Sequence, residues 1–227
     1  MIIFTIFGTP VKIKYSVLPI PIVLWGGVTW LGLYWHPERS FWQGVLIGFV
    51  TSLFLLSVEF GHPLAHIFSA RMAKAPMDEI VLAADMPRTI YWNNNVSPNA
   101  HRLRAAGGLI YNFLGILVFL GIYFIFPNKP LVREIAGWTA AAHGLLLVMS
   151  IMPVPIVDGG TILKWTLVAH GRSEEKADAV LRQLDWILGI VFALAGIGFI
   201  VARMWILGAV LIVAGAAILG VASGKIH

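Results

Sequence analysis

The chain has 227 residues, of which 59% are hydrophobic and only 12% are charged. Soluble domains carry about 25% charged residues, so this composition excludes a water-soluble enzyme and a disordered tail. It also excludes a nucleic-acid-binding domain, although the formal net charge is +5. The chain has no cysteine, which excludes disulfides, thiolate catalysis and cysteine-based metal sites. The composition predicts an integral membrane protein that forms a single domain over residues 1–227 and has the lipid bilayer as a partner.

The predicted fold class is an all-α polytopic membrane protein with a few short β-strands. Residues 1–16 alternate in the manner of an N-terminal strand. A hydrocarbon core of ~30 Å needs about 20 mostly apolar residues per helix, and six stretches of the chain satisfy this requirement. They are paired along the chain in the segments 17–69, 107–160 and 184–222. The six predicted spans are 17–35, 41–69, 107–126, 135–153, 184–202 and 204–222.

Two polar segments separate these pairs of spans. The first is a loop at 70–106, whose first half predicts one or two short strands and whose second half is rich in turn residues. The second is a shorter amphipathic segment at 161–183. Both are predicted to be cytoplasmic together with the two termini, because that side then holds 12 of the 16 lysines and arginines and positive residues favour the cytoplasm.

Span two contains the segment SVEFGHPLAH, residues 57–66. On a helix, Glu59, His62 and His66 fall within an arc of about 60°. The i, i+4 spacing of the two histidines allows both imidazoles to meet one metal ion, and Glu59 is placed to act as a general base on a metal-bound water. The alternative is a polar stripe that hydrogen-bonds to other spans.

Span four ends in MPVPIVDGG, residues 152–160, where prolines and glycines interrupt the helix. Irregular backbone at membrane depth is tolerated only where it lines protein or a cavity. Asp158 is therefore a candidate metal ligand from a second helix. Its alternative role, compatible with the first, is to cap a helix at 161–170.

Two further polar residues lie inside predicted spans. Asn112 follows a pair of glycines in span three and could hydrogen-bond an extended strand or a metal-bound group. His143 is surrounded by small residues in span four. It could supply an axial ligand to a tetrapyrrole, although a hydrogen bond to a neighbouring helix is the commoner role.

Three of these motifs resemble those of the site-2 proteases, a family of intramembrane zinc metalloproteases. VEFGH resembles the HExxH helix, GGLIYNFLG the small-residue-plus-asparagine motif of the third helix, and PVPIVDGG the proline-flanked aspartate motif. The resemblance implies that Glu59 is the general base and that His62 and Asp158 are zinc ligands. It also implies that the 70–106 loop contains a strand that pairs with an extended substrate.

One position departs from the family pattern. The family's first zinc histidine aligns with Val58, whose side chain has no donor atom for a metal. His66 lies one helical turn beyond the motif and could complete a set of two histidines and one aspartate, with the metal displaced by about 5–6 Å along the helix.

These observations leave three functional hypotheses. The first is a non-proteolytic pseudo-protease that binds a transmembrane segment or serves as a scaffold subunit of a membrane complex. The second is an active intramembrane zinc metalloprotease with a rearranged site formed by His62, His66 and Asp158. The third is a membrane subunit that binds a tetrapyrrole through His143. The expected cofactor is therefore zinc or none, and the expected protein partner is a transmembrane segment.

The predicted orientation can be tested by cysteine labelling, since the chain has no native cysteine to interfere. A cysteine introduced near residue 225 should react with a membrane-impermeant reagent only from the cytoplasmic side. One introduced near residue 130 should react only from the opposite side. Labelling of the first site from the non-cytoplasmic side would contradict the positive-inside argument.

Overall fold

The computed structural model of the chain describes residues 2–84 and 87–225. The chain divides into two compact units. The first comprises Met1–Val96 and Leu103–Met149, and the second comprises Ser97–Arg102 and Ser150–His227.

Helices account for most of the described chain. Six of them are long and apolar enough to cross a membrane, and the remaining one, α5, is short. The prediction of a polytopic membrane protein with six spans is therefore confirmed for the described residues. The helices are α1 (Pro19–Trp35), α2 (Phe41–Met72), α3 (Pro98–Ile125), α4 (Pro130–Ile151), α5 (Asp158–Ala169), α6 (Glu174–Val201) and α7 (Trp205–Ala222).

Two of the membrane helices begin earlier than hydropathy predicts. Helix α3 starts at Pro98 rather than near 107, and α6 starts at Glu174 rather than near 184. Their first turns are polar, so a hydropathy window leaves them out although they are helical. Local signals for both starts are present in the sequence. Proline is favoured at the first helical position, and the hydroxyl of Ser173 accepts a hydrogen bond from the backbone N–H of Lys176 at 3.4 Å.

The strands form one four-stranded sheet in the order β1-β2-β3-β4. The first pair and the last pair are antiparallel, whereas β2 and β3 are parallel. The predicted N-terminal strand is thus a hairpin of two strands, and the polar loop supplies the other two. Their bounds are β1 (Ile2–Ile6), β2 (Thr9–Ile13), β3 (Glu79–Leu82) and β4 (Arg88–Ile90).

One face of this sheet packs on the end of α2. Val11 and Ile80, which are neighbours across the parallel pair, are fully buried and share a core with Ile67 and Ala70. Alternation along each strand directs every second side chain to that core. The sheet is therefore anchored directly below the turn of α2 that carries His66.

At the other end of the first unit, an ion pair joins the α1–α2 connection to α4. The guanidinium of Arg39 donates to both carboxylate oxygens of Glu134, at 3.0 and 2.5 Å. The two side chains are only 13% and 18% exposed. Hydrogen bonding to Glu134 raises the pKa of Arg39. The indole rings of Trp35 and Trp138 stack with centroids 5.3 Å apart.

The second unit is built around a hairpin of α6 and α7. A turn at Arg203, whose φ is +63°, joins the two helices and lies between the predicted spans 184–202 and 204–222. They meet through small residues, because a Cβ added at Gly196 or Gly208 would collide with the facing helix. Helix α5 is tied to α6 by an ion pair from the Lys164 ammonium to the Asp178 carboxylate at 2.9 Å.

Removing the carboxylate from the Arg39–Glu134 pair should destabilise the protein. Glu134→Ala leaves a largely buried guanidinium without this partner, and we expect a loss of about 3–5 kcal/mol in the free energy of unfolding. Thermal unfolding of the purified protein in detergent measures this loss. Glu38→Ala is the matched control, because Glu38 is 70% exposed and its removal should have little effect. Equal effects of the two substitutions would contradict the assignment.

Candidate functional site

One face of α3 is shaped to receive two histidine rings. Gly108, Asn112 and Gly115 are spaced at i, i+4 and i+7, so they lie on the same side of the helix. A Cβ at Gly108 would overlap the imidazole of His62, and a Cβ at Gly115 would overlap the imidazole of His143. The two glycines therefore allow α2 and α4 to bring their histidines against the backbone of α3, on either side of Asn112.

Asn112 is completely buried and hydrogen-bonds to both histidines. Its Nδ2 lies 2.9 Å from Nδ1 of His62, and its Oδ1 lies 3.1 Å from Nδ1 of His143. On the far side of His62, the Nε2 atom lies 3.4 Å from Nε2 of His66. Nδ1 of His66 lies 2.8 Å from the backbone oxygen of Arg104. The four side chains form a continuous polar chain across α2, α3 and α4.

With the Asn112 amide oriented as it is in this structure, its donor and acceptor assign one tautomer to each ring. A backbone carbonyl can only accept, so Nδ1 of His66 carries a proton and its Nε2 is a lone pair. The Nδ2 of Asn112 can only donate, so Nδ1 of His62 is a lone pair and its Nε2 carries the proton. The Oδ1 of Asn112 can only accept, so His143 is protonated on Nδ1. Every donor thus faces an acceptor, from His143 to the carbonyl of Arg104.

Arg104 holds the end of this chain in place. Its backbone oxygen also accepts a hydrogen bond from the Ser69 hydroxyl at 2.9 Å. Its buried side chain donates through Nε to the backbone oxygen of Ala75 at 2.8 Å and through Nη2 to that of Asn93 at 3.2 Å. Arg104 is one of the basic residues of the predicted cytoplasmic loop at 70–106, and no structural role is predicted for it from the sequence. An arginine immediately before an apolar run and a double glycine was the available hint of a structural role.

His62 and His66 have the geometry of a metal-binding pair. Zinc–nitrogen bonds are about 2.0–2.1 Å and structural sites are tetrahedral, which places two imidazole nitrogens about 3.3 Å apart. The observed Nε2···Nε2 separation is 3.4 Å. The hydrogen bond from His66 Nδ1 to a backbone carbonyl is the type of outer contact that orients a metal-binding histidine. The residues present therefore fit a zinc ion at this pair.

Two neighbouring residues of the protease-like motif differ in their exposure. Val58 is 3% exposed. Glu59 is exposed and lines a cavity of about 340 Å³ that is bounded by α1, α2, the segment after β3 and Ala142. Glu59 is the one charged residue among the described residues that line this cavity.

Asp158 lies in the second unit, where it is the first residue of α5. Val157 occupies the N-cap position, so the prediction that Asp158 itself caps the helix is wrong by one residue. At the first helical position its negative charge still interacts favourably with the helix dipole. Added Cβ atoms at Gly159 and Gly160 would run into the carbonyl groups of Ile151 and Val154, so the turn that presents Asp158 is tight enough to require glycine at both positions.

His143 is packed as a helix contact. It is 2% exposed, and the rings of Tyr111 and Phe119 lie with centroids 5.3 and 5.7 Å from its own. Together with the Asn112 hydrogen bond and the backbone of α3 at Gly115, these contacts surround the imidazole. This packing favours a hydrogen-bonding role over axial ligation of a tetrapyrrole.

Comparison with known proteins identifies the fold. No protein-family model and no curated protein matches the sequence. The structure is similar to that of the site-2 protease from Methanocaldococcus jannaschii, with a TM-score of 0.59 at 17% sequence identity. The similarity covers 100% of this chain and 95% of that protein. The chain is thus a multi-pass membrane protein with a site-2-protease-like fold, as the three sequence motifs predict.

The close approach of α2 to α3 can be tested with one added methyl group. Gly108→Ala should displace the His62 imidazole and destabilise the protein by about 1–3 kcal/mol, the usual effect of overpacking. The control is Gly121→Ala in the same helix, where an added Cβ meets nothing within 4 Å and alanine favours the helix. Thermal unfolding of both variants in detergent measures the difference. Equal stabilities would contradict the packing of His62 on Gly108.

Proposed function

We propose that this protein is a pseudo-protease, which uses a site-2-protease-like fold to bind a transmembrane segment without cleaving it efficiently. The observation that carries the proposal is Val58. In the resemblance to the protease family this position supplies the first zinc ligand, and here it is a buried apolar side chain. The bound segment belongs to a partner subunit of a membrane complex.

The number of available zinc ligands supports the proposed lack of efficient proteolysis. Catalytic zinc sites use three protein ligands and leave one position for water. His62 and, by its motif, Asp158 supply two, and Val58 supplies none. His66 could supply a third ligand only one turn further along α2, about 5–6 Å away. Glu59 then precedes both histidines instead of lying between the two ligands, so a general base is no longer placed where the family pattern requires it.

The cavity beside Glu59 supports binding of an apolar segment. It adjoins Leu82 at the end of β3, and apart from Glu59 its described lining is made of apolar or small side chains. Strand β4 is an edge of the sheet, so its outer backbone groups can pair with an extended segment. With the predicted orientation, the sheet lies on the cytoplasmic side, and an apolar side chain of a membrane partner can enter the cavity from there.

An active metalloprotease is the second candidate, and one observation favours it. The Nε2 atoms of His62 and His66 already stand at the separation that zinc requires. A bound zinc ion would supply Lewis-acid activation of water. In this alternative His62, His66 and, by its motif, Asp158 would hold the zinc ion, and Glu59 would serve as the general base.

Cleavage of a membrane-embedded reporter separates the two candidates. We expect the wild-type protein in liposomes, supplied with zinc, to leave the reporter intact. Val58→His rebuilds the HExxH pair and should bind zinc more tightly and gain cleavage, because it adds the missing third ligand. Val58→Leu is the matched control for packing and should gain neither. Zinc content and reporter cleavage are measured on the same preparations.

A second substitution tests whether Glu59 is the general base. Adding Glu59→Gln to Val58→His should reduce the gained cleavage by about 10²–10⁴-fold. Cleavage by the wild-type protein that is abolished by Glu59→Gln would overturn the pseudo-protease proposal and establish the rearranged protease.

A further inference from the structure

We propose that His143 is a positioning residue for the His62–His66 pair. Through the amide of Asn112 it sets which nitrogen of His62 carries the proton, and thereby whether His62 Nε2 can bind a divalent metal ion such as zinc. This role of His143 concerns metal binding and is the same whether or not the protein cleaves a substrate.

The amide of Asn112 contacts one ring nitrogen of each of two histidines. Its donor Nδ2 faces Nδ1 of His62 at 2.9 Å, and its acceptor Oδ1 faces Nδ1 of His143 at 3.1 Å. In this arrangement His62 holds its proton on Nε2, the atom that faces His66. A protonated nitrogen has no lone pair for a metal, so this arrangement blocks one of the two ligands.

Metal binding requires the opposite arrangement. His62 must carry its proton on Nδ1, and that proton needs an acceptor. The Asn112 amide supplies one if it turns by 180° and directs Oδ1 towards His62, which exchanges donor and acceptor with almost no change in shape. Its Nδ2 then faces His143, whose Nδ1 must become a lone pair and whose Nε2 must take the proton. Each ring keeps one proton throughout, so the change is a coupled exchange of tautomers.

The packing of His143 makes this coupling obligatory. The ring lies against the α3 backbone where Gly115 leaves no room for a Cβ, and it is 2% exposed. It cannot turn towards solvent when Asn112 reverses. A buried amide group without a hydrogen-bond partner is strongly disfavoured, so Asn112 and His143 must change together. Metal binding to His62 therefore changes the tautomer of His143, although His143 does not contact the metal.

Nitrogen NMR of the full chain in nanodiscs tests the proposal, because ¹⁵N shifts of histidine distinguish the two tautomers. Without metal we expect His143 to be protonated on Nδ1 and His62 on Nε2. Saturating zinc should move the His143 proton to Nε2 and the His62 proton to Nδ1. His170→Phe, which removes an exposed histidine at the end of α5, is the control and should leave both changes intact.

Substitutions of similar size test the direction of control. Asn112→Asp offers His62 only acceptor atoms and should raise zinc affinity by about 10–100-fold, the usual size of such outer contacts. Asn112→Leu should lower it by a similar factor. In the metal-free protein, His143→Phe should convert His62 from one tautomer to a mixture, and His143→Gln, whose amide can again pair with Asn112, should restore a single tautomer.

Two results would overturn the proposal. One is zinc binding at His62 with no change of tautomer at His143. The other is no zinc binding at His62 in either the wild-type protein or Asn112→Asp. Neither result bears on the pseudo-protease proposal, which is decided by reporter cleavage in the wild-type and Val58→His proteins.

Discussion

The structure depends on one constraint, which is that polar side chains within the apolar part of the chain must satisfy one another. Ionisable residues inside a membrane cost at least ~2.5–3.5 kcal/mol each on insertion scales. In the first unit the solution is a single chain of hydrogen bonds through Asn112, which receives histidines from α2 and α4. The glycines of α3 follow from it, because the rings reach the asparagine only where α3 has no side chains.

This arrangement also uses different atoms of the two histidines for different contacts. The interactions that join α2, α3 and α4 use His62 through Nδ1 and His66 through Nδ1, whereas the two Nε2 atoms face each other. Helix packing therefore uses the Nδ1 atoms, whereas the proposed metal site uses the Nε2 atoms of the same rings. Val58 is apolar and buried, so it is compatible with this packing.

Hydropathy was sufficient to predict the six spans, and alternation and turn residues predicted the strands. The helix starts at Pro98 and Glu174 were missed, because polar first turns extend the helices beyond their apolar windows. The i, i+4 pair of histidines could be read from spacing within one helix. The partnership of Asn112 with His143 could not, since it depends on the distance between two helices. The spacing of Gly108, Asn112 and Gly115 was the one local signal for it.

The parallel pairing of β2 with β3 has a consequence for how the protein is made. Two membrane helices separate these strands along the chain, yet Val11 and Ile80 are direct neighbours. Parallel strands need such a long crossover, and here the crossover passes through the bilayer and back. During translation β2 of the N-terminal hairpin therefore keeps one edge unpaired until both helices have been inserted and β3 has left the ribosome. The four-stranded sheet can therefore form only after that first helical pair has been made and inserted.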